Sequence, residues 1–166
     1  MGQTNILLVD PEKCVGCGLC ALACSLVKEG EFSLGKARIQ TIWIPEIGMN
    51  VPMICEHCQK PLCAEVCPVE AISRNEETGA MVLDPGLCIG CKMCLMACPF
   101  GAVSIDPQTR AVVKCDLCDG DPECVKHCVY GALSFVPAGE AAYARRKKAA
   151  QTLAQCTSLY NVDTTQ

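Results

Sequence analysis

Large rings are scarce in this chain. One Trp, three Tyr and three Phe make up 4% of the residues, too little aromatic volume for the interior of a conventional domain. Long hydrophobic runs are missing as well. None approaches the roughly 20 apolar residues of a membrane-spanning helix, so no span is expected. The opening MGQTNILLVDPEKC holds no basic stretch followed by an apolar one, so no secretory signal is expected. Position 6 is Ile, where a myristoylation signal carries Ser or Thr. Basic charge does not dominate: 14 Lys and Arg stand against 18 Asp and Glu, net −4, and nucleic acid is not an expected partner. The chain has only two histidines, and no nucleophile–base pair can be read, so no catalytic residue is expected. These absences suggest a cytoplasmic, reduced, oxygen-shy protein.

What the chain has instead is cysteine, 17 residues of 166. In a secreted chain this density suggests a disulfide scaffold, but here the cysteines fall into quartets with two-residue gaps, which is metal-ligand spacing. The clearest quartet lies in CIGCKMCLMACP, residues 88–99. A 4Fe–4S cube offers four iron corners, each taking one thiolate. Three closely spaced cysteines let one loop wrap three corners, and the fourth, leaving the loop in another direction, ligates a neighbouring cube. Gly90 suits the tight curvature of such a loop, and Pro99 follows where no helix need continue. The quartets are Cys14, Cys17, Cys20 and Cys24; Cys55, Cys58, Cys63 and Cys67; Cys88, Cys91, Cys94 and Cys98; and Cys115, Cys118, Cys124 and Cys128. Together they supply thiolates for four 4Fe–4S clusters. Zinc is the rival ligand for four cysteines, but its structural sites pair two separated knuckles. Cys156 joins no quartet and is expected to be a free thiol.

Internal repetition sets the architecture. After the last cysteine of quartets two, three and four the chain reads CPVEAIS, CPFGAVS and CVYGALS. Short apolar runs precede the quartets, as in ILLVD, AMVLD and AVVK. The unit is therefore strand, cluster loop, short helix, strand. No proline follows Cys24, so its helix is expected to continue to about Gly30. ARIQTIWI and NVPMIC flank the turn signal PEIG and predict a β-hairpin within residues 31–54. Trp43 is expected to plug the cluster region, and His57 to donate a hydrogen bond near a cluster or touch its surroundings. Helix formers predict a helix from about Gly139 to Ser158, whose basic run Arg145, Arg146, Lys147 and Lys148 reads as a solvated face or a dock for an acidic partner.

The stretch from Cys14 to about Phe135 resembles the four-cluster electron-transfer subunits of molybdenum and tungsten pterin enzymes, some hydrogenases and carbon monoxide dehydrogenases. CVGCGLCALAC, CEHCQKPLCAEVCPVEAI, CIGCKMCLMACPFGA and KCDLCDGDPECVKHC carry the resemblance, in that order. It implies an α+β fold of two ferredoxin-like halves related by a pseudo-twofold axis, with the β-hairpin insertion and a C-terminal helix. Residues 1–30 and 100–136 would form the outer half, 55–99 the inner half, 31–54 the insertion, and 137–166 the helix and tail. The resemblance also implies nested ligation. Cys14, Cys17 and Cys20 with Cys128 would hold one cluster; Cys115, Cys118 and Cys124 with Cys24 the second. Cys55, Cys58 and Cys63 with Cys98 would hold the third; Cys88, Cys91 and Cys94 with Cys67 the fourth. One departure stands out: Cys128 is followed by Val129 and Tyr130, where the family usually has proline.

The resemblance implies a non-catalytic subunit that relays single electrons between a catalytic subunit and another redox subunit or acceptor. Compact size points to the tungsten aldehyde oxidoreductase type. Carbon monoxide dehydrogenase, hydrogenase and molybdopterin complexes are alternatives, as is a free polyferredoxin, which gel filtration would separate from a docked subunit. Further partners implied are a flavin subunit or additional copies of this chain. An iron–sulfur sensor would want a DNA-binding module, and none is readable. Charge gives one more expectation. Lys13 and Lys92 would favour reduction of the clusters they flank, while Asp116, Asp119, Asp121 and Glu123 would lower the potential at the fourth quartet.

Overall fold

In a computed structural model the described residues are 5–160, with side chains described to 154. In chain order the elements are β1 (Asn5–Val9), α1 (Leu19–Glu29), β2 (Gln40–Ile44), β3 (Met49–Met53), α2 (Leu62–Glu65), β4 (Ile72–Arg74), β5 (Met81–Leu83), α3 (Met93–Ala97), β6 (Val103–Ile105), β7 (Val112–Lys114), α4 (Glu123–Lys126), β8 (Leu133–Pro137) and α5 (Ala138–Tyr160). The strand that trails one quartet pairs antiparallel with the strand that leads into the next: β4 with β5 and β6 with β7. The circuit closes when β8, trailing the last quartet, pairs with β1, leading into the first, with Leu7 opposite Phe135. The remaining junction is the expected hairpin, β2 with β3. Its turn runs through Pro45–Ile47 and ends on Gly48 at φ +62°. Two-stranded sheets this short are marginal alone, so they depend on what packs between them.

The helices follow from the residues that can end them. α1 is bounded by Gly18 and Gly30, both left-handed, with the Gly30 N–H on the Leu26 carbonyl at 2.9 Å. Without a proline after Cys24 it runs on. α3 stops before Cys98, whose extended backbone (φ −76°, ψ 113°) suits the residue preceding Pro99. α4 is as short as α2 although Val129 replaces a proline. There the Gly131 N–H turns back onto the Cys128 carbonyl at 3.0 Å.

Two small cores result. One gathers Ala37, Ile39, Ile54, Leu117 and Leu133 around Cys20, Cys24, Cys115 and Cys124; the other gathers Ile72, Met81, Val103 and Val112 around Cys94. Sulfur thus takes the place that aromatic rings fill elsewhere. The fold is a small mixed helix–strand arrangement of ferredoxin-like units.

One expectation changes. Trp43 is 55% exposed on β2 and plugs nothing; its ring lies beside Gly48 instead. The basic run of α5 is exposed, as a solvated face would be, and two of its side chains also meet acids of this chain. Lys148 reaches Asp10 at 3.2 Å and Glu12 at 3.0 Å, and Arg145 stands 3.9 Å from Glu56. Ala141 is buried where α5 crosses β1 and β8. The Cys156 side chain lies outside the described residues. Among the described residues no helix is long and apolar enough to cross a membrane.

Candidate metal centres

Four cavities lie between the loops and helices, and each is edged by four cysteines. Cys14, Cys17 and Cys20 meet Cys128 around about 330 Å³ of empty space. Cys115, Cys118 and Cys124 meet Cys24 around about 300 Å³. Cys88, Cys91 and Cys94 meet Cys67 around about 290 Å³. Cys55, Cys58 and Cys63 meet Cys98 around about 460 Å³, where Phe100 and Lys114 also line the space. Three cysteines come from one loop in every case, and the fourth arrives from another quartet.

The loop shape is a backbone property repeated four times. The second residue after each quartet's first cysteine has positive φ: Gly16 (+73°), His57 (+45°), Gly90 (+71°) and Leu117 (+60°). This turn brings a backbone N–H back to the sulfur just passed, His57 N to Cys55 Sγ at 3.4 Å and Leu117 N to Cys115 Sγ at 3.5 Å. Glycine at 90 therefore serves the conformation; no protein atom crowds it within 4 Å. A second left-handed residue lies three positions after the last cysteine, at Glu70 (+51°), Gly101 (+59°) and Gly131 (+63°). It aims the next N–H at the fourth sulfur, Ala71 N to Cys67 Sγ at 3.3 Å and Ala102 N to Cys98 Sγ at 3.4 Å. That is the physical content of the EAIS and GAVS repeats. In the first quartet, where α1 runs on, Arg38 N serves Cys24 Sγ instead, at 3.3 Å.

The donor set fits an iron–sulfur cube. Burial pushes the Cys115 thiol up to about 12 and Cys124 further still, with Cys115, Cys24, Cys118 and Cys20 adding to the rise at Cys124. Burial likewise raises Cys20, Cys24, Cys63 and Cys94. Such thiols become thiolates only against a cation, so binding iron there releases protons. Thr41 Oγ1 is buried at the first cavity against the Cys20 sulfur, and its hydrogen bond opposes the burial-driven rise of that thiol. A single zinc ion draws four sulfurs to about 2.3 Å from one point. Among the described residues no three His, Cys, Asp or Glu side chains converge that way; the sulfurs edge a cavity instead.

Charges around the sulfurs differ from expectation. Of the four acids at the last quartet, Asp116 meets Lys28 Nζ at 2.6 Å, while Asp121 and Glu123 both meet Lys126. Burial alone would raise the Asp116 carboxyl, but Lys28 and the Cys118 N–H hold it below the usual range. Two lysines thus halve the acidic bias. His57 Nδ1 accepts from the Met81 N–H at 2.9 Å, so the ring is an acceptor there and its Nε2 carries the proton. Burial, then Lys114 and Arg74, push it down to about 3, so the ring stays neutral. Lys13, half turned away, pairs with Asp10 at 3.6 Å.

Sequence reasoning missed Lys114 and Lys28. Lys114 was legible in the period of β7: Val112 and Lys114 share one face of the strand, and both are buried. Lys28 gave no signal, because its partner lies 88 residues away.

Residues 48–138 match the 4Fe–4S dicluster domain family, and residues 7–25 match the 4Fe–4S binding domain. Among similar curated proteins is a tetrathionate reductase subunit from Archaeoglobus fulgidus, 38% identical over 70% of this chain and 56% of that one. The aliphatic sulfonate oxidoreductase polyferredoxin-like subunit of Pyrococcus furiosus is 41% identical over 67% and 64%. Thiosulfate reductase electron transfer subunit PhsB of Salmonella typhi is 34% identical over 67% and 60%. The chain therefore spans less than two thirds of the length of these relatives. By its matched domains the chain belongs to the 4Fe–4S dicluster family, with a further 4Fe–4S binding domain over residues 7–25.

Proposed function

We propose that the chain is a non-catalytic electron-transfer subunit of an oxidoreductase complex, carrying four 4Fe–4S clusters. The carrying observation is the exchange of cysteines, since each cavity takes three from one quartet and the fourth from another. Each cavity's four cysteines would be the ligands of one cluster, and the bound clusters would supply one-electron chemistry. The chain's own residues do the rest. Backbone N–H groups from His57, Ala71, Ala102, Leu117 and Arg38 stabilise charge on sulfur. Burial shields the sulfurs of Cys20, Cys24, Cys94, Cys115 and Cys124 from water, while Cys17 and Cys91 lie exposed.

The topology supports an order. α1 packs on α4, and α2 on α3, so each exchanged pair of cavities is joined through helices. The two pairs meet where Ile54 and Cys55 face Lys114 and Cys115. A relay would run from the Cys14 cavity through the Cys115 and Cys55 cavities to the Cys88 cavity, or in reverse. Two ferredoxin-like halves, outer and inner, are the corresponding reading of the domains.

The substrate would be handled on a partner chain, in the class of tungsten or molybdenum pterin oxidoreductases. The relatives' names carry tetrathionate, aliphatic sulfonate and thiosulfate, so the partner is assigned to that class without narrowing it to aldehyde enzymes. Anoxic purification of the native complex tests this. The expected result is a pterin-containing subunit travelling with the chain, and bleaching of the chain's visible absorbance when the partner's substrate is added. A chain that elutes alone, and bleaches only with a chemical reductant, contradicts it.

A further inference from the structure

Lys114 is a buried cation placed between two of the cavities. It is 8% exposed. Its Nζ lies 3.0 Å from Cys55 Sγ, 2.6 Å from the Met81 carbonyl and 3.3 Å from the Cys115 carbonyl. An ammonium has three donors and no acceptor, and these are three acceptors. The stoichiometry is that of a fully satisfied Lys cation. Burying such a charge is costly unless something negative faces it. Among the described residues no carboxylate is ion-paired with Lys114. The facing group is the Cys55 sulfur. The same cation also counters the burial-driven rise of the Cys63 and Cys115 thiols, so its field spans both sides of the junction.

We infer that Lys114 is a positioning residue that raises the reduction potential of the centre held by Cys55, Cys58, Cys63 and Cys98 above what a neutral residue there would allow. The inference rests on the proposed ligation of four clusters. Reduction moves one electron onto that centre from a reduced neighbour, which is oxidised by one; no bond forms or breaks. The added negative charge meets a fixed, desolvated cation that needs no reorganisation, so the reduced state gains more than the oxidised one. The position matters for the relay. Lys114 precedes Cys115 in the chain and contacts Cys55 across the junction, so it biases where an electron rests between the two pairs of cavities.

The test is an EPR-monitored redox titration of the purified, fully loaded protein and of Lys114→Met. One midpoint of the four is expected to fall by at least a tenfold change in the reduction equilibrium, about 59 mV for a one-electron couple. The others should move less. Should Met prevent loading, Lys114→Gln carries the same test, because its amide offers N–H donors on the side of the Met81 and Cys115 carbonyls without the charge. Lys114→Arg keeps the charge and should keep the midpoint. Neutral variants with full iron and sulfide and four unmoved midpoints overturn the inference. So does a uniform shift of all four, or an Arg variant that shifts as far as the neutral ones. Wild-type protein with less iron than four clusters require would instead sink the ligation on which the inference rests.

Discussion

Replacing Lys28 by Met should lower the potential of the centre at Cys24, Cys115, Cys118 and Cys124. Lys28 Nζ holds Asp116 Oδ2 at 2.6 Å, and the other oxygen, Oδ1, accepts from Cys118 N at 3.0 Å. Both side chains line that cavity. Removing the ammonium leaves the carboxylate charged and unbalanced beside the sulfurs. Two unit charges roughly 6 Å apart at an effective dielectric of about 20 interact by about 3 kcal/mol. Lys28 is 19% and Asp116 32% exposed, so solvent should screen about half of this, leaving about 1.5 kcal/mol. That is roughly a tenfold change in the reduction equilibrium, about 59 mV downward. Stability should fall too, by about 1–3 kcal/mol, between the values for exposed and fully buried pairs. An EPR potentiometric titration reads the first effect. Asp116→Asn alone should move the same midpoint upward, and the double variant should return close to wild type. A Lys28→Met midpoint that stays or rises would refute the electrostatic reasoning, because the pair would then be screened out.

Other perturbations probe other parts of the account. Gly101→Val forces a β-branched residue to φ +59° and displaces the Ala102 N–H from Cys98; unfolding should become about 1–2 kcal/mol easier in denaturant titration. His57→Ala leaves the Met81 N–H unpaired, a loss of about 1–3 kcal/mol read in the same way. The Asp106 carboxyl is held below the usual range by the Thr109 N–H first, against burial, with the Thr109 hydroxyl and Gln108 N–H helping. A depressed pKa contributes stability above the unfolded value, about 3.9, which is lost as pH falls through the folded one. The protection factor of the Thr109 amide, its exchange rate relative to that of an unstructured amide at the same pH, should therefore fall below about pH 4 in wild type but not in Asp106→Asn. Removing iron with a chelator should abolish most of the far-UV circular dichroism of the cluster-bearing units, since the cores are small and largely sulfur.

Much of this was legible in the residues, because the repeat carries it. The quartet spacing, the CPVEAIS-type trailers and the apolar leaders anticipated four strand–loop–helix–strand units, and these form. The β-hairpin formed because PEIG between β-branched runs is a local signal. What was not legible depends on contacts between distant parts. Trp43 looked like a plug by its rarity, yet the face it occupies is set by the register with Asn50 on β3. The basic run on α5 is exposed as it reads, but its ion pairs were not legible, because Asp10 and Glu12 come to meet Lys148 through the β1–β8 pairing. The acids around Cys118 looked like a negative field until Lys28 arrived from α1. Left-handed backbone at His57, Leu117 and Glu70 was hidden because only glycine advertises it. The equivalent positions in the other units, Gly16, Gly90 and Gly101, held the clue.

The central claim is that sixteen cysteines, shared between loops, hold four 4Fe–4S clusters. Iron and acid-labile sulfide analysis of anoxically purified protein, with EPR spin quantification after full reduction, tests it most directly. The account predicts equal iron and sulfide and a total spin approaching four per chain. Half that spin with half the iron, or zinc in a colourless protein, would contradict it.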